Sequence, residues 1–355
     1  MEQESRIDVR DAAFVEPLND LIRRAGGDAD SQVGRLVRET MQNALRLVRD
    51  RVDGGEVKVL SLAFREMRHA FSIFRPYADV RKISVFGSAR TFEHQAQYRA
   101  ALDFSRRISE AGWMVITGAG DGIMRAGHGG AGREASFGVA IRLPFETNAN
   151  EFIIGDEKLV THRYFFTRKL MFVSQANAVA LFPGGFGTLD EGFEVLTLVQ
   201  TGKSAPMPIV CIDEPGGDYW QHFDSYIREQ LLADGMISEE DRSLYHITDD
   251  PAEAVAHVLA FYRNYHSLRW VGDDLVMRLH RAPDDAQLDQ LNSAFADLLT
   301  EGRIERCGPF NVEQEALELP RLKLRFNRRS HGRLRQMIDR LNSFAASDVP
   351  DATAS

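Results

Sequence analysis

Between residues 31 and 53 the chain places Val33, Leu36, Val37, Met41, Ala44, Leu47, Val48 and Val52 at helical spacing and then meets Asp53-Gly54-Gly55. That period predicts an amphipathic helix closed by glycine. A second set, Leu60, Phe64, Met67, Phe71 and Phe74, is spaced 4, 3, 4, 3 and stops before Pro76. Residues 1–80 therefore read as a helical extension. From Lys82 the period shortens: KISVFGS, WMVITGA, GVAIRLP, AVALFPGG and PIVCID are β-rich runs separated by helical patterns. Five buried runs alternating with helices predict an α/β domain over residues 81–263, built on a Rossmann-like, doubly wound parallel sheet.

A helix holding Ala252, Val255, Leu259 and Tyr262 closes that domain, and a third pattern begins near Asp273. LVMRLH reads as a strand, and Leu288, Leu291, Phe295 and Leu298 stripe a helix behind Asp284-Asp285. RIERC and LKLRFNR read as two strands, followed by a helix over 331–342. The order β-α-β-β-α predicts a small ferredoxin-like α+β module over 264–343. The tail from 344 to 355, ending SDVPDATAS, reads as disordered. No internal repeat is seen.

Composition narrows the classes without choosing among them. In 355 residues, 44% hydrophobic and 27% charged, the chain has ample material for a core. A net charge of −9 argues against a whole-surface binder of nucleic acid or anionic membrane. The start MEQESRIDVRD lacks the features of a signal peptide, and no apolar run approaches the roughly 18 residues of a membrane span. With Cys211 and Cys307 as the two cysteines, and ten histidines without ligand spacing, the expectation is a cytoplasmic protein with neither disulfides nor a metal site.

The candidate chemistry lies in two glycine-rich segments, Gly118-Ala-Gly120-Asp-Gly122-Ile-Met124 and Pro183-Gly-Gly-Phe-Gly187-Thr188-Leu-Asp-Glu191. Each follows an expected strand and opens an expected helix. Backbone N–H groups at a positive helix end suit a phosphate, although glycine also serves simply to permit a tight turn. A dinucleotide fingerprint would need glycine where Ile123 stands. A Walker loop would need glycine at Thr197, and Gly202-Lys203-Ser204 ends a helix where it should open one.

PGGFGTLDE at 183–191, with Arg168-Lys169 upstream in RYFFTRKLMF, resembles the LONELY GUY family of nucleoside 5′-monophosphate phosphoribohydrolases. VFGSAR, GAGDGIM and LPFE extend the resemblance over about residues 82–263, and the flanking extensions look like those of larger bacterial members. Asp121 and Arg125 depart from the proline and acidic residue common in the resembling proteins. Such proteins have often carried the label lysine decarboxylase; nothing in this chain identifies a pyridoxal phosphate lysine, and no cofactor is expected.

The resemblance implies hydrolysis of an AMP-like nucleotide to free base and ribose 5-phosphate, by at least a homodimer with its sites near the interface. It makes Glu191 the carboxylate beside the ribose and Arg168 the group that stabilises the departing anion. Gly184, Gly185, Gly187 and Thr188 would hold the 5′-phosphate, with Lys169 as a countercharge. Ser88, Arg90, Gly118 and Gly120 would complete the wall, and Thr197 matches a family position further along the helix. Each residue also has a plainer explanation. Thr188-Leu-Asp-Glu191 fits a capping box, and Arg168 could sit on the solvated edge of a helix whose Phe166, Leu170 and Val173 face the core. Asp190 competes with Glu191, but neighbours on a helix diverge by about 100°, and the motif register favours Glu191. Glu146 and Asn150 could reach a base or be ordinary turn residues. Other functions remain open: a noncatalytic carrier of a nucleotide or phosphorylated cofactor, or an RNA-associated regulator. The last would use the eight basic residues of 321–340 (Arg321, Lys323, Arg325, Arg328, Arg329, Arg333, Arg335, Arg340), which face one acid, Asp339. Such a stretch serves RNA or an anionic effector, or is a solvated face paired with acids elsewhere.

Overall fold

A computed structural model describes residues 12–142 and 149–346. The segment 143–148, with the LPFE motif and Glu146, and the tail from 347 onward lie outside the described residues. The chain divides into two compact units, Met1–Glu66 and Met67–Ser355.

The first unit holds α1 (Ala12–Arg24), α2 (Gln32–Arg49) and the start of α3 (Gly54–Phe74). Ser31 caps α2 by accepting the Gly34 N–H at 2.9 Å. A Cβ on Gly34 would lie 2.1 Å from the Asp28 carbonyl oxygen, so glycine is what lets α2 start against the preceding turn. The predicted helical period is present. Its burial is not: Gly34 and Gln42 are buried in α2, while Val33, Leu36, Val37 and Val48 are exposed. Periodicity locates an apolar face without saying what covers it.

In the second unit the end of α3 packs on the sheet, with Phe74 stacked on Phe137 at 4.2 Å. The elements that follow are β1 (Lys82–Phe86), α4 (Ala96–Glu110), β2 (Met114–Thr117), α5 (Ile123–Ala131), β3 (Ser136–Ile141) and β4 (Leu159–His162). Then come α6 (Phe165–Ser174), β5 (Ala178–Leu181), α7 (Phe186–Gln200), β6 (Ile209–Ile212), α8 (Tyr219–Tyr226), β7 (Tyr245–Thr248) and α9 (Pro251–Phe261). Seven strands form one sheet in the order β4-β3-β2-β1-β5-β6-β7, and every neighbouring pair is parallel. This is the doubly wound α/β architecture. One face packs on α4, α5 and α9 through Phe104, Ile123 and Val258; the other packs on α6, α7 and α8 through Phe172, Val195 and Trp220. The five β-rich runs are the five inner strands. The outer strands β4 and β7 escape a sequence reading because each is four residues long and carries a histidine and a threonine, so neither forms a continuous apolar run.

The C-terminal part adds β8 (Tyr265–Val271), β9 (Asp274–Leu279), α10 (Asp285–Ala294), β10 (Leu299–Cys307), β11 (Arg321–Phe326) and α11 (His331–Ala346). Its sheet runs β10-β11-β9-β8 and is antiparallel throughout. The expected β-α-β-β-α order is present from β9 onward, with β11 between β9 and β10 as in a split β-α-β unit. The correction is β8, a fourth strand hairpinned onto β9 through Gly272 at φ +61°. It occupies the edge where a ferredoxin-like fold places its last strand, but arrives from the N-terminal side. One buried cluster runs without a break from Ile83 and Val210 through Phe261 to Leu322 and Leu341, so this part shares the core of the α/β domain.

The basic stretch is laced to acids outside it. Lys323 pairs with Glu305 at 3.1 Å, Arg325 with Asp274 at 3.1 Å, Arg328 with Asp273 at 3.4 Å and Arg333 with Asp297 at 2.9 Å. Arg321 and Arg278 enclose the fully buried Glu313 at 3.0 and 2.6 Å. Burial works to raise the Glu313 carboxyl, but the Phe310 N–H and the two guanidiniums hold it down to about 2. Removing one member of a buried ion cluster leaves uncompensated charge, which costs roughly 3–5 kcal/mol. Glu313→Ala should therefore lower unfolding free energy by about that amount in urea denaturation. A loss below about 1 kcal/mol would show that the arginines find other partners.

Candidate active site

The strand order ascends from β1 out to β4 on one side and from β5 out to β7 on the other, so the chain leaves the carboxyl ends of β1 and β5 in opposite directions. A crevice opens at such a reversal. Here it is a cavity of about 790 Å³ lined by the loop after β1, the loop after β5 with the first turns of α7, Gly118 after β2, and Phe165 and Arg168 from α6.

Close approaches explain Gly118, Gly122 and Gly184, whereas a Cβ on Gly185 or Gly187 would meet nothing within 4 Å. The Ser88 N–H donates to the Pro183 carbonyl at 3.1 Å and ties the two central loops together. A Cβ on Gly184 would lie 2.1 Å from the Thr188 hydroxyl, and one on Gly118 would lie 2.3 Å from an Arg168 guanidinium nitrogen. Gly122 has φ +63°, and a Cβ there would meet the Ser88 carbonyl at 2.2 Å. Beneath the Gly118–Gly122 loop lies a buried polar network: His128 sits within 3.0 Å of both the Thr117 hydroxyl and the Phe137 carbonyl, and Asn150 donates to the Gly120 carbonyl at 2.9 Å. Asn150 thus supports the loop from inside.

The capping-box expectation is overturned. Helix α7 begins at Phe186, with Gly185 as an extended N-cap and no side-chain cap, so Thr188 and Glu191 already lie within the helix. The Gly-Gly turn lets the chain enter helical geometry before the threonine is reached. Glu191 is consequently free of capping duty, buried, and on the cavity wall. Its Oε2 has no hydrogen-bond partner among the described residues. Burial raises its carboxyl to about 7 despite the opposing charges of Lys169 and Arg168. Asp190 also lines the cavity, against the expectation that neighbours on the helix would part, but it is exposed and 2.8 Å from the Lys169 ammonium.

Arg168 is fixed from two sides. Its Nε donates to the Val139 carbonyl at 2.9 Å, and its guanidinium carbon lies 5.1 Å from the centroid of the Phe172 ring. Helix α6 does not bury the stripe expected of it: Thr167, Met171, Phe172 and Val173 are buried, whereas Phe166 and Leu170 are exposed. Of the residues singled out in the sequence, Ser88, Arg90, Gly118, Arg168, Gly184, Gly185, Gly187, Thr188 and Glu191 meet on the cavity. Three do not line it. Gly120 packs against Met124 and gives its carbonyl to Asn150. Lys169 is held by Asp190 and Glu194, the latter at 2.6 Å, and reaches Glu191 through charge alone. Thr197 lies exposed six residues further along α7, about 9 Å of helical rise from Glu191. Sequence reasoning missed the apolar wall of Phe86, Met124, Phe165 and Phe186; the one available signal was an aromatic residue inside a glycine loop. No group of three metal-ligating side chains occurs among the described residues.

A family model described as "Possible lysine decarboxylase" matches residues 121–258. The chain is 26% identical over 180 residues to a probable cytokinin riboside 5′-monophosphate phosphoribohydrolase, LOG4, of Oryza sativa subsp. japonica, spanning 49% of this chain and 74% of the relative. It is 28% identical over 172 residues to the rice enzyme LOG, spanning 46% of this chain and 66% of that protein, just under two thirds. Among solved structures, a molybdenum cofactor carrier protein from Chlamydomonas reinhardtii matches at 20% identity over 51% of this chain and 96% of its own, with a TM-score of 0.36. These matches make the α/β domain similar to the LONELY GUY family, and the matching family model carries the lysine decarboxylase description. The decarboxylase label implies pyridoxal phosphate, and the site does not fit it. No lysine lines the cavity among the described residues, and Lys169 is committed to two carboxylates.

The Glu191 environment can be tested directly. Carbon NMR of the labelled carboxyl should give a midpoint near 7. Since Lys169 lowers that value, Lys169→Met should move it further up. A midpoint near 4.5 in the unmodified protein would mean that Glu191 is solvated.

Proposed function

We propose that the protein hydrolyses the N-glycosidic bond of a nucleoside 5′-monophosphate, with AMP the first substrate, giving free base and ribose 5-phosphate. The observation that carries this reading is Glu191: a buried carboxyl with an unsatisfied oxygen on the wall of a cavity that also holds Arg168 and an open helix N-terminus. Breaking the bond builds positive charge on the ribose and negative charge on the base. Ionised Glu191 stabilises the sugar cation and orients or deprotonates the attacking water. Arg168, held rigid by Val139 and Phe172, stabilises the departing base. The backbone amides of Gly185, Phe186 and Gly187 at the start of α7 take the 5′-phosphate together with the Thr188 hydroxyl. The rice relatives carry the name of this reaction on cytokinin nucleotides. We also propose a homodimer, supported by the exposed Phe165, Phe166, Leu170 and Phe186 near the cavity mouth. Light scattering at micromolar concentration should show at least two copies, and a monomer would exclude it.

Incubation with AMP followed by chromatography should yield adenine; bound but unconverted AMP would instead identify a carrier. Hydrogen bonds to a charged group contribute roughly 1.5–3 kcal/mol each, so losing two lowers kcat/KM by about two to four decades. AMP should accordingly outperform adenosine by that margin, and equal turnover would remove the phosphate cradle.

Glu191→Gln keeps shape and removes charge. It should cut kcat by roughly two orders of magnitude or more while nucleotide still binds. Because the ionised carboxylate is the active form and its ordinary value is raised to about 7, kcat/KM should fall as pH drops below that point. A flat profile between pH 5 and 8, or normal turnover by the folded Gln variant, would sink the assignment.

A further inference from the structure

Behind the phosphate loop, away from the cavity, stands a residue with no part in any motif. Tyr219 opens α8 and donates its hydroxyl hydrogen to the Gly184 carbonyl at 2.7 Å. Its position is itself fixed. Buried Asp213, just beyond β6, accepts the N–H of the next residue, Trp220, at 3.0 Å, and the Asp213 N–H donates to the Thr248 carbonyl of β7 at 2.9 Å. The Tyr219 ring also packs edge-on against Trp220 at 4.9 Å, and Trp220 is almost wholly buried. The hydroxyl is therefore anchored to the sheet and not to a mobile loop.

The peptide between Gly184 and Gly185 is trans, so its N–H points away from its C=O. Gly184 and Gly185 line the cavity and Tyr219 does not; Tyr219 lines a separate aromatic groove with Phe193 and Phe223. With the carbonyl held on the outer side, the Gly185 N–H is directed to the cavity side. Two consecutive glycines would otherwise allow this peptide to rotate, since neither has a Cβ to restrict it. Gly185 is also the N-cap of α7, the residue from which the helix and Glu191 are set.

We propose that Tyr219 is a positioning residue that locks the Gly184–Gly185 peptide so that the Gly185 N–H faces the 5′-phosphate. The inference deepens the phosphate-loop reading above and rests on it. It assigns part of the affinity for the phosphate to a hydroxyl on the outer side of the loop, beyond reach of the ligand.

Tyr219→Phe removes that hydroxyl and keeps the ring. In the full-length protein, calorimetric affinity for inorganic phosphate and for ribose 5-phosphate should weaken about fivefold to tenfold, the size of one lost hydrogen bond. KM for AMP should rise by a similar factor with kcat within about twofold, and turnover of adenosine, which lacks the phosphate, should not change. Phe223→Leu thins the same aromatic cluster without touching the loop and should leave phosphate affinity intact. Unchanged phosphate affinity in Tyr219→Phe would overturn the proposal, as would an equal loss in Phe223→Leu or an equal loss with adenosine. The parent reading fails separately: unmodified protein that binds phosphate in a Tyr219-dependent way but releases no base would keep the positioning role and remove the hydrolase.

Discussion

The reversal of strand order between β1 and β5 is the constraint on which the site depends. Parallel strands on either side of this line send their loops apart, leaving a crevice that backbone groups can line without steric competition from a crossing helix. The bond from the Ser88 N–H to the Pro183 carbonyl joins the loops on its two sides. Gly122 and Gly184 then let the chain approach where any side chain would collide. Gly122 and Gly184 serve close packing, while Gly185 and Gly187 leave the start of α7 open.

Within that frame the charged residues gain their character from burial. Asp190 and Glu191 are adjacent in sequence and chemically alike, yet one is exposed and paired with Lys169 while the other is buried with an unsatisfied oxygen. Helical geometry, with about 100° between neighbours, separates them. The same low-dielectric wall that raises the Glu191 carboxyl would strengthen its interaction with a developing cation, since both effects come from lost hydration. Arg168 is held by the Val139 carbonyl and the Phe172 ring, so its charge is already oriented before any ligand arrives.

The C-terminal sheet shows how little a local charge excess says alone. Eight basic residues in twenty look like a binding surface in one dimension, but Arg321 is wholly buried against Glu313, and Lys323, Arg325, Arg328 and Arg333 meet acids brought from other elements. Its core is continuous with that of the α/β domain, which makes it part of one folding unit with the site.

The α/β class, the five inner strands and the two glycine loops were legible in the residues alone, because burial on both faces leaves continuous apolar runs and close backbone approach demands glycine; Arg168 and Glu191 were singled out by resemblance. Tertiary structure alone decided the rest. The outer strands β4 and β7 are too short and polar to announce themselves, and β8 is defined by its antiparallel pairing with β9. The start of α7 was decided by Gly185, not by the Thr188 hydroxyl, which turned an apparent cap into a free carboxyl. Phe166 and Leu170 kept helical spacing yet stayed outside the core, and Lys169 turned to two acids and away from the cavity. Spacing fixes which residues share a face of an element; what that face meets depends on chain segments far away in sequence, and that is settled only when they pack.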